Sequence, residues 1–298
     1  VDRRRALLGS LSAAAGAFCY GVTIVFSRSL ARAHLPPPTA LGLRFGIAAA
    51  LLFVVLRPRN HTPAAVAASL ALGLLYGVES TFFYMALERG TAAAVTLVFY
   101  SYPAMVTAVE IAVGRERAAR GAVAALVLCT AGAATVASTG ADVAITTAGI
   151  ALSLAAAGTF ALYLLVSDRV APGVGPMTKA AWVVAGCGAF HLLRGALTGG
   201  LVSPAGWWPQ LAGNGAATSA AFVFLFAGLA RVGAARTAVV MTLEAVFGVL
   251  LAAAFLGEGL TGLQLAGGAA VVTGAALAAL AAPRAPAAEL ARGQAGAP

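Results

Sequence analysis

Charge is what this sequence has least of. Asp, Glu, Lys and Arg supply 10% of its 298 residues, 61% are hydrophobic, and the mean hydropathy is +0.93. Soluble domains carry about a quarter of their residues as charges, so the composition excludes an ordinary soluble domain and places the chain in a lipid bilayer. Lysine is almost missing: of nineteen basic residues only Lys179 is a lysine. The net charge of +9 is not gathered on one polar face beside aromatic, base-reading groups, which excludes a nucleic-acid partner. Cysteine is scarce as well. Cys19, Cys129 and Cys187 lie far apart, each inside an apolar run and without metal-ligand spacing, so they read as small packing residues. The sequence also lacks a P-loop, an HExxH pair and a G-x-S-x-G turn, so no catalytic residue, metal site or cofactor is expected and the chain is not read as an enzyme.

What is present is a series of apolar runs of bilayer length. A helix rises about 1.5 Å per residue, so some 20 residues cross the hydrocarbon. The stretch after Arg3-Arg4-Arg5, from Ala6 to Ser27, is longer than a signal peptide's apolar core and reads as a first span. Further runs cover Thr39 to Leu56 and then about 64–87, 91–114, 118–138, 148–166, 177–198, 211–230, 233–256 and 261–282. Sliding the chain by 142 residues places Leu87 to Ala93 on Leu229 to Ala235, Glu116 on Glu258, and Gly132-Ala133-Ala134 on Gly274-Ala275-Ala276. One offset serving separated places implies duplication. The expected fold is therefore an all-α membrane protein of ten transmembrane helices arranged as two five-helix repeats. Residues 1–5 form a cytoplasmic N-terminus, 6–138 the first repeat, 139–147 a linker containing Asp142, 148–282 the second repeat, and 283–298 a disordered cytoplasmic tail.

With the N-terminus inside, fourteen basic residues fall in inside segments, four (Arg28, Arg32, Arg89, Arg194) fall outside, and Arg44 lies within a helix. That asymmetry follows the positive-inside rule and puts both termini in the cytoplasm. Five spans per repeat is an odd number, so the two copies enter the membrane in opposite senses. This inverted repeat is an architecture built for rocking about a site near the midplane.

Few residues can carry chemistry in such a chain. Glu79 is too deep to reach water across the interface; it is protonated, paired or facing a wet cavity, and reads either as a transport or coupling group or as a buried structural acid. Glu244, near the middle of its run, has the same two readings. Arg44 either snorkels outward or faces a carboxylate across a cavity. Glu110, four residues from a cytoplasmic helix end, is expected to snorkel. Glu116 and Glu258, just beyond their helices, are expected to cap the following helices. Pro103 interrupts a helical ladder at mid-run. Tyr84, Tyr100, Tyr102 and Tyr163 either line a cavity or anchor at the interface, while Trp207-Trp208, His191 and Arg194 are expected at the boundary.

These features resemble the EamA branch of the drug/metabolite transporter superfamily over about residues 6–282. The resemblance is carried by Leu43-Arg44-Phe45, Tyr100-Ser101-Tyr102-Pro103-Ala104, Gly114-x-Glu116-Arg117, Leu243-Glu244 and Leu256-Gly257-Glu258-Gly259-Leu260-Thr261. Where the family shows Glu-Pro, this chain has Glu244-Ala245, a departure expected to remove the second kink. The resemblance implies a secondary transporter of the inner membrane, an exporter of amino acids or other small metabolites by alternating access, with protons as a possible coupling ion. Its partners are then a small-molecule substrate and lipid, and its state monomer or homodimer. The substrate-binding or coupling candidates are Arg44, Glu79, Tyr84, Tyr100, Pro103, Tyr163 and Glu244. A lipid-headgroup enzyme and a non-transporting membrane scaffold are the alternatives.

Overall fold

The computed structural model describes residues 2–32, 34–56, 62–90, 92–115, 120–138, 145–167, 169–170, 174–256 and 260–280. Glu116, Arg117, Asp142, Glu258 and the tail lie outside the described residues, as do the helix caps expected of the two glutamates. The helices are α1 (Asp2–Arg32), α2 (Pro37–Leu56), α3 (Pro63–Leu87), α4 (Ala92–Phe99), α5 (Tyr102–Ala112), α6 (Arg120–Ser138), α7 (Thr147–Ser167), α8 (Pro176–Thr198), α9 (Trp208–Met241), α10 (Leu243–Leu256) and α11 (Gly262–Leu280). Among the described residues, eight stretches are long and apolar enough to cross a membrane, and Leu243–Phe255 and Gly262–Ala278 are shorter apolar helices.

Proline starts several of these helices. It sits in the first turn of α3, α5, α8 and α9, where its missing N–H costs nothing. Thr62 caps α3 by accepting the Ala65 N–H at 3.3 Å. The runs expected at 211–230 and 233–256 meet at a break in the helix, and a further break divides the second run. Trp208–Met241 is two helices joined at a kink at Gly233, whose φ of 76° and ψ of 176° a side chain would strain. A second break follows at Thr242.

That second break corrects the expectation of an unkinked second copy. In the first copy the ladder stops at Tyr100 and Ser101, just before Tyr102-Pro103, and Ser101 N–H donates to Val98 O at 3.1 Å in a tightened turn. Adding the repeat offset of 142 to Tyr100 gives Thr242, which separates α9 from α10. No proline is needed there. The Thr242 hydroxyl donates to Val239 O at 2.7 Å, and the Ala245 N–H reaches only as far back as Thr242 O, at 3.1 Å. Side-chain competition for a backbone acceptor together with i→i+3 bonding loosens the helix where the first copy uses an imino acid.

The repeats pack reciprocally. α1 lies on α9 as α7 lies on α3, α3 on α8 as α2 on α9, while α2 meets α8 and α6 meets α11. Equivalent residues touch along these last two pairs. The Cys129 thiol donates to Val271 O at 3.5 Å across a separation of 142 residues, and a Cβ added to Gly188 would lie 3.0 Å from the Gly46 nitrogen. Contacts of this kind are what a pseudo-twofold axis produces. Small residues make the approach close, because helix association in lipid relies on packing contact. A Cβ at Gly73 would run into the Val183 carbonyl, and one at its repeat mate Gly215 would meet Ile47 at 2.6 Å.

Several bonds tie chain ends together. At one end of the bundle Thr39 donates to Gly200 O at 2.8 Å and accepts the Val202 N–H at 3.0 Å, Asn214 donates to Ser27 at 3.2 Å, and Gly90 forms a bridge with Ile145. At the other end Arg5 reaches Ala230 O at 3.4 Å, and Lys179 donates to Ser167 O at 3.0 Å and Val170 O at 2.6 Å. Lys179 is buried. Its ammonium meets the carbonyls at the C-terminus of α7, where the helix dipole favours a cation.

Overpacking at Gly73 separates this contact from generic helix effects. Gly73→Ala is expected to destabilise the protein by about 1–3 kcal/mol, whereas Gly158→Ala, with open space at its Cβ, leaves stability unchanged or slightly raised. Thermal unfolding of both variants in detergent is the measurement.

Candidate functional site

The centre of the bundle is aromatic. Tyr76 on α3 has its ring 5.7 Å from Phe45, 6.1 Å from Phe160, 5.2 Å from Tyr163 and 5.2 Å from Phe222. Tyr20 on α1 joins at 5.9 Å from Phe222, and Tyr102 at 4.8 Å from Phe160. The cluster draws on α1, α2, α3, α5, α7 and α9, so both repeats build it. Most pairs meet edge to face, the arrangement favoured by aromatic quadrupoles.

Charged groups border this cluster. Arg44 on α2 does not snorkel. Its Nε donates to Thr218 Oγ1 at 2.6 Å and its Nη2 to Thr23 Oγ1 at 3.3 Å, and its Cζ lies 5.0 Å from the centroid of the Phe45 ring. Glu79 on α3 is 5% exposed, and Glu244 sits in the first turn of α10, just past the Thr242 break. Glu79 feels the Glu244 carboxylate and the Arg44 guanidinium electrostatically, and Glu244 feels Arg44. Arg44 takes part in no ion pair among the described residues, where the pairs found are Arg89–Glu88 and Arg169–Glu110. A guanidinium and two carboxylates from the two repeats thus influence one another through space without forming an ion pair.

The tyrosines divide by place. Tyr100 and Tyr102 are buried and lie within the field of Glu244. Tyr84 is half-buried and close enough to Arg44 and Glu79 to feel both. Tyr163 is fully buried, stacked on Phe160 at 5.9 Å and tilted to Phe226 at 6.4 Å. Pro103 is buried at the α4–α5 break. Arg44, Glu79, Tyr84, Tyr100 and Glu244 are therefore linked by electrostatic influence across the two repeats. Tyr163 adjoins the aromatic cluster through Tyr76, and Pro103 shapes the backbone between α4 and α5.

Two sequence expectations fail here. Glu110 does not snorkel: it is 4% exposed and accepts from Arg169 Nη2 at 2.9 Å. The partner comes from just beyond α7 in the second repeat, a pairing that the spacing along one helix could not reveal. His191 is not a boundary residue. It is fully buried, with Nε2 2.9 Å from Ser80 Oγ and its ring stacked 6.3 Å from Phe45. Tyr20, Thr23, Tyr76, Thr218 and Phe222 were not legible as site residues, because in an apolar helix a lone hydroxyl or ring carries no sign of the direction it faces. A hint existed in their spacing: Glu79 and Tyr76 lie three residues apart, and so share a helix face.

Known proteins match this chain at two levels. The EamA-like transporter family matches residues 7–138 and again residues 147–280. A solved crystal structure of a protein superposes with a TM-score of 0.78 at 21% sequence identity, covering 93% of this chain and 99% of the other; at that identity it speaks for the fold. No curated protein matches the sequence.

The Glu110–Arg169 pair generates a stability test. Removing the cation leaves a buried carboxylate uncompensated, which costs about 3–5 kcal/mol for a fully buried pair and less here, because the Arg169 side chain is 38% exposed. Arg169→Ala is expected to lower the melting temperature more than Glu110→Gln does. The double variant is expected to recover part of the loss, as a double-mutant cycle in detergent would show.

Proposed function

Since this chain belongs to the EamA-like transporter family, within the drug/metabolite transporter superfamily, we propose that it is a secondary exporter of small zwitterionic metabolites such as amino acids, driven by protons. What supports the reading is the electrostatic link between Arg44 and Glu79 of the first repeat and Glu244 of the second, with Arg44 lying against Phe45 of the aromatic centre. Ionisable groups are expensive in hydrocarbon and mark substrate or ion pathways when they occur there. In this proposal Arg44 takes the substrate carboxylate. One of Glu79 and Glu244 takes its ammonium group or a proton, and the rings of Tyr76, Tyr84 and Tyr100 line the passage.

The proposed arrangement is ten spans in two inverted repeats, with boundaries at 6–138 and 148–282, in the inner membrane with both termini cytoplasmic. Its support is the set of ties between chain ends. Thr39 with Gly200, Ser27 with Asn214 and Gly90 with Ile145 join segments that the basic-residue count puts outside. Arg5 with Ala230, Lys179 with Ser167, and Glu110 with Arg169 join segments that it puts inside. Alternating access would then break one set while the other holds. Breaks at Tyr100-Ser101 and at Thr242 supply bending points at equivalent places in the two halves. They also put Glu244 beside a helix N-terminus, where an anion is favoured.

Flux from proteoliposomes loaded with mixed amino acids, with and without an imposed pH gradient, tests the proposal. Gradient-dependent release of one class is expected. Glu79→Gln is expected to abolish the gradient-driven component while the protein stays folded, and unchanged proton-driven flux would remove Glu79 from the coupling role. Absence of release from correctly inserted protein for every amino acid in the pool would overturn the substrate class.

A further inference from the structure

We infer that Thr23 and Thr218 are positioning residues for Arg44, one from each repeat, which aim the guanidinium so that its free Nη1 edge is presented to a substrate carboxylate. The inference rests on the proposed role of Arg44 as the carboxylate-binding group. It adds two residues whose hydroxyl oxygens both accept from that group.

The argument is one of hydrogen-bond capacity. A threonine hydroxyl has a single proton to give and lone pairs to accept with. Thr218 Oγ1 gives its proton to Asn214 O at 2.7 Å, and Thr23 Oγ1 gives its own to Tyr20 O at 2.8 Å. Both hydroxyls are therefore left as acceptors only, and both face Arg44, at 2.6 Å to Nε and 3.3 Å to Nη2. Thr218 is fully buried and Thr23 is 3% exposed, so water does not compete for these lone pairs.

Only a donor fits between the two oxygens, and a guanidinium fits as a rigid planar fork. With Nε and Nη2 engaged, the N–H groups of Nη1 remain for a ligand. The Phe45 ring, 5.0 Å from Cζ, further restrains the fork. Neutral acceptors serve this purpose better than a carboxylate would. A buried Arg–Glu pair would satisfy the charge internally and compete with the substrate, whereas two hydroxyls orient the cation and leave its charge uncancelled. Because Thr218 belongs to α9 and Arg44 to α2, the aim depends on the two repeats being packed together, which ties substrate affinity to the conformational state.

The repeat offset supplies independent context. The equivalent of Thr218 in the first copy is Tyr76, and that of Arg44 in the second copy is Gly186. Only one of the two symmetry-related places carries the guanidinium, and only there is a hydroxyl acceptor set against it.

The test uses purified full chain in proteoliposomes. The probes are whichever of radiolabelled alanine, leucine, glutamine and phenylalanine gives the largest wild-type efflux, together with its carboxamide, which lacks the negative charge. The wild type is expected to favour the acid over the amide. Thr218→Val and Thr23→Val are each expected to raise KM for the acid about tenfold, the cost of losing a hydrogen bond to a charged group, with Vmax and the KM for the amide nearly unchanged. Thr218→Ser is expected to restore wild-type KM, and Arg44→Lys, which cannot use two orienting acceptors in the same way, is not. Wild-type discrimination retained in both valine variants would overturn the positioning role while leaving Arg44 as the carboxylate ligand. A wild type that does not distinguish acid from amide, or that moves none of the four, would overturn the carboxylate reading and the positioning role together. Should Thr218→Val fail to yield a monodisperse protein, Thr23→Val carries the comparison alone.

Discussion

The structure turns on the cost of placing a guanidinium and two carboxylates in the interior of an apolar helix bundle. A charge in low dielectric must be neutralised, hydrogen-bonded or given a polar space. Arg44 meets this demand through two threonine hydroxyls and an aromatic face. Glu244 meets it at the start of a helix that would otherwise run unbroken. The unpaired state of Arg44 among the described residues separates this site from the Glu110–Arg169 pair, where opposite charges close directly on each other and the outcome is cohesion.

Around the site, two copies of one fold have diverged in chemistry while keeping their packing. Cys129 meets Val271 and Gly188 meets Gly46 across the pseudo-twofold. Gly73 and Gly215 let backbones approach at equivalent places. At the ionisable positions the symmetry is broken: Glu79 corresponds to Ala221, Glu244 to Tyr102 and Arg44 to Gly186. Packing is shared because both copies must bury the same helix faces. Charge is not: at each of these three pairs of equivalent places only one copy carries the carboxyl or guanidinium group. The break before Pro103 and the break at Thr242 show the same division, with one geometry reached through two different local causes.

Much of the molecule was legible before any coordinate. Membrane residence, the apolar runs and the duplication follow from composition, run length and a single offset, since these depend on local sequence and on the bilayer's fixed thickness. The value of Arg44, Glu79 and Glu244 as candidates also followed, because a charge within an apolar run is conspicuous. Glu110 and His191 were misjudged for one reason. Distance from the nearest end of a run does not fix burial, which depends on what packs beside the residue: Arg169, just beyond α7, for Glu110 and Ser80, on α3, for His191.

By itself, then, the sequence determined that this is a helical membrane protein made of two related halves with a few ionisable groups inside, because periodicity, length and charge are local properties. Only the tertiary structure decided that Arg44 is held by Thr23 and Thr218, that Glu110 pairs with Arg169, and that Thr242 breaks its helix without proline. Those facts depend on which faces of distant helices meet, and in a chain of alanine, glycine, leucine and valine the faces look alike until they are packed.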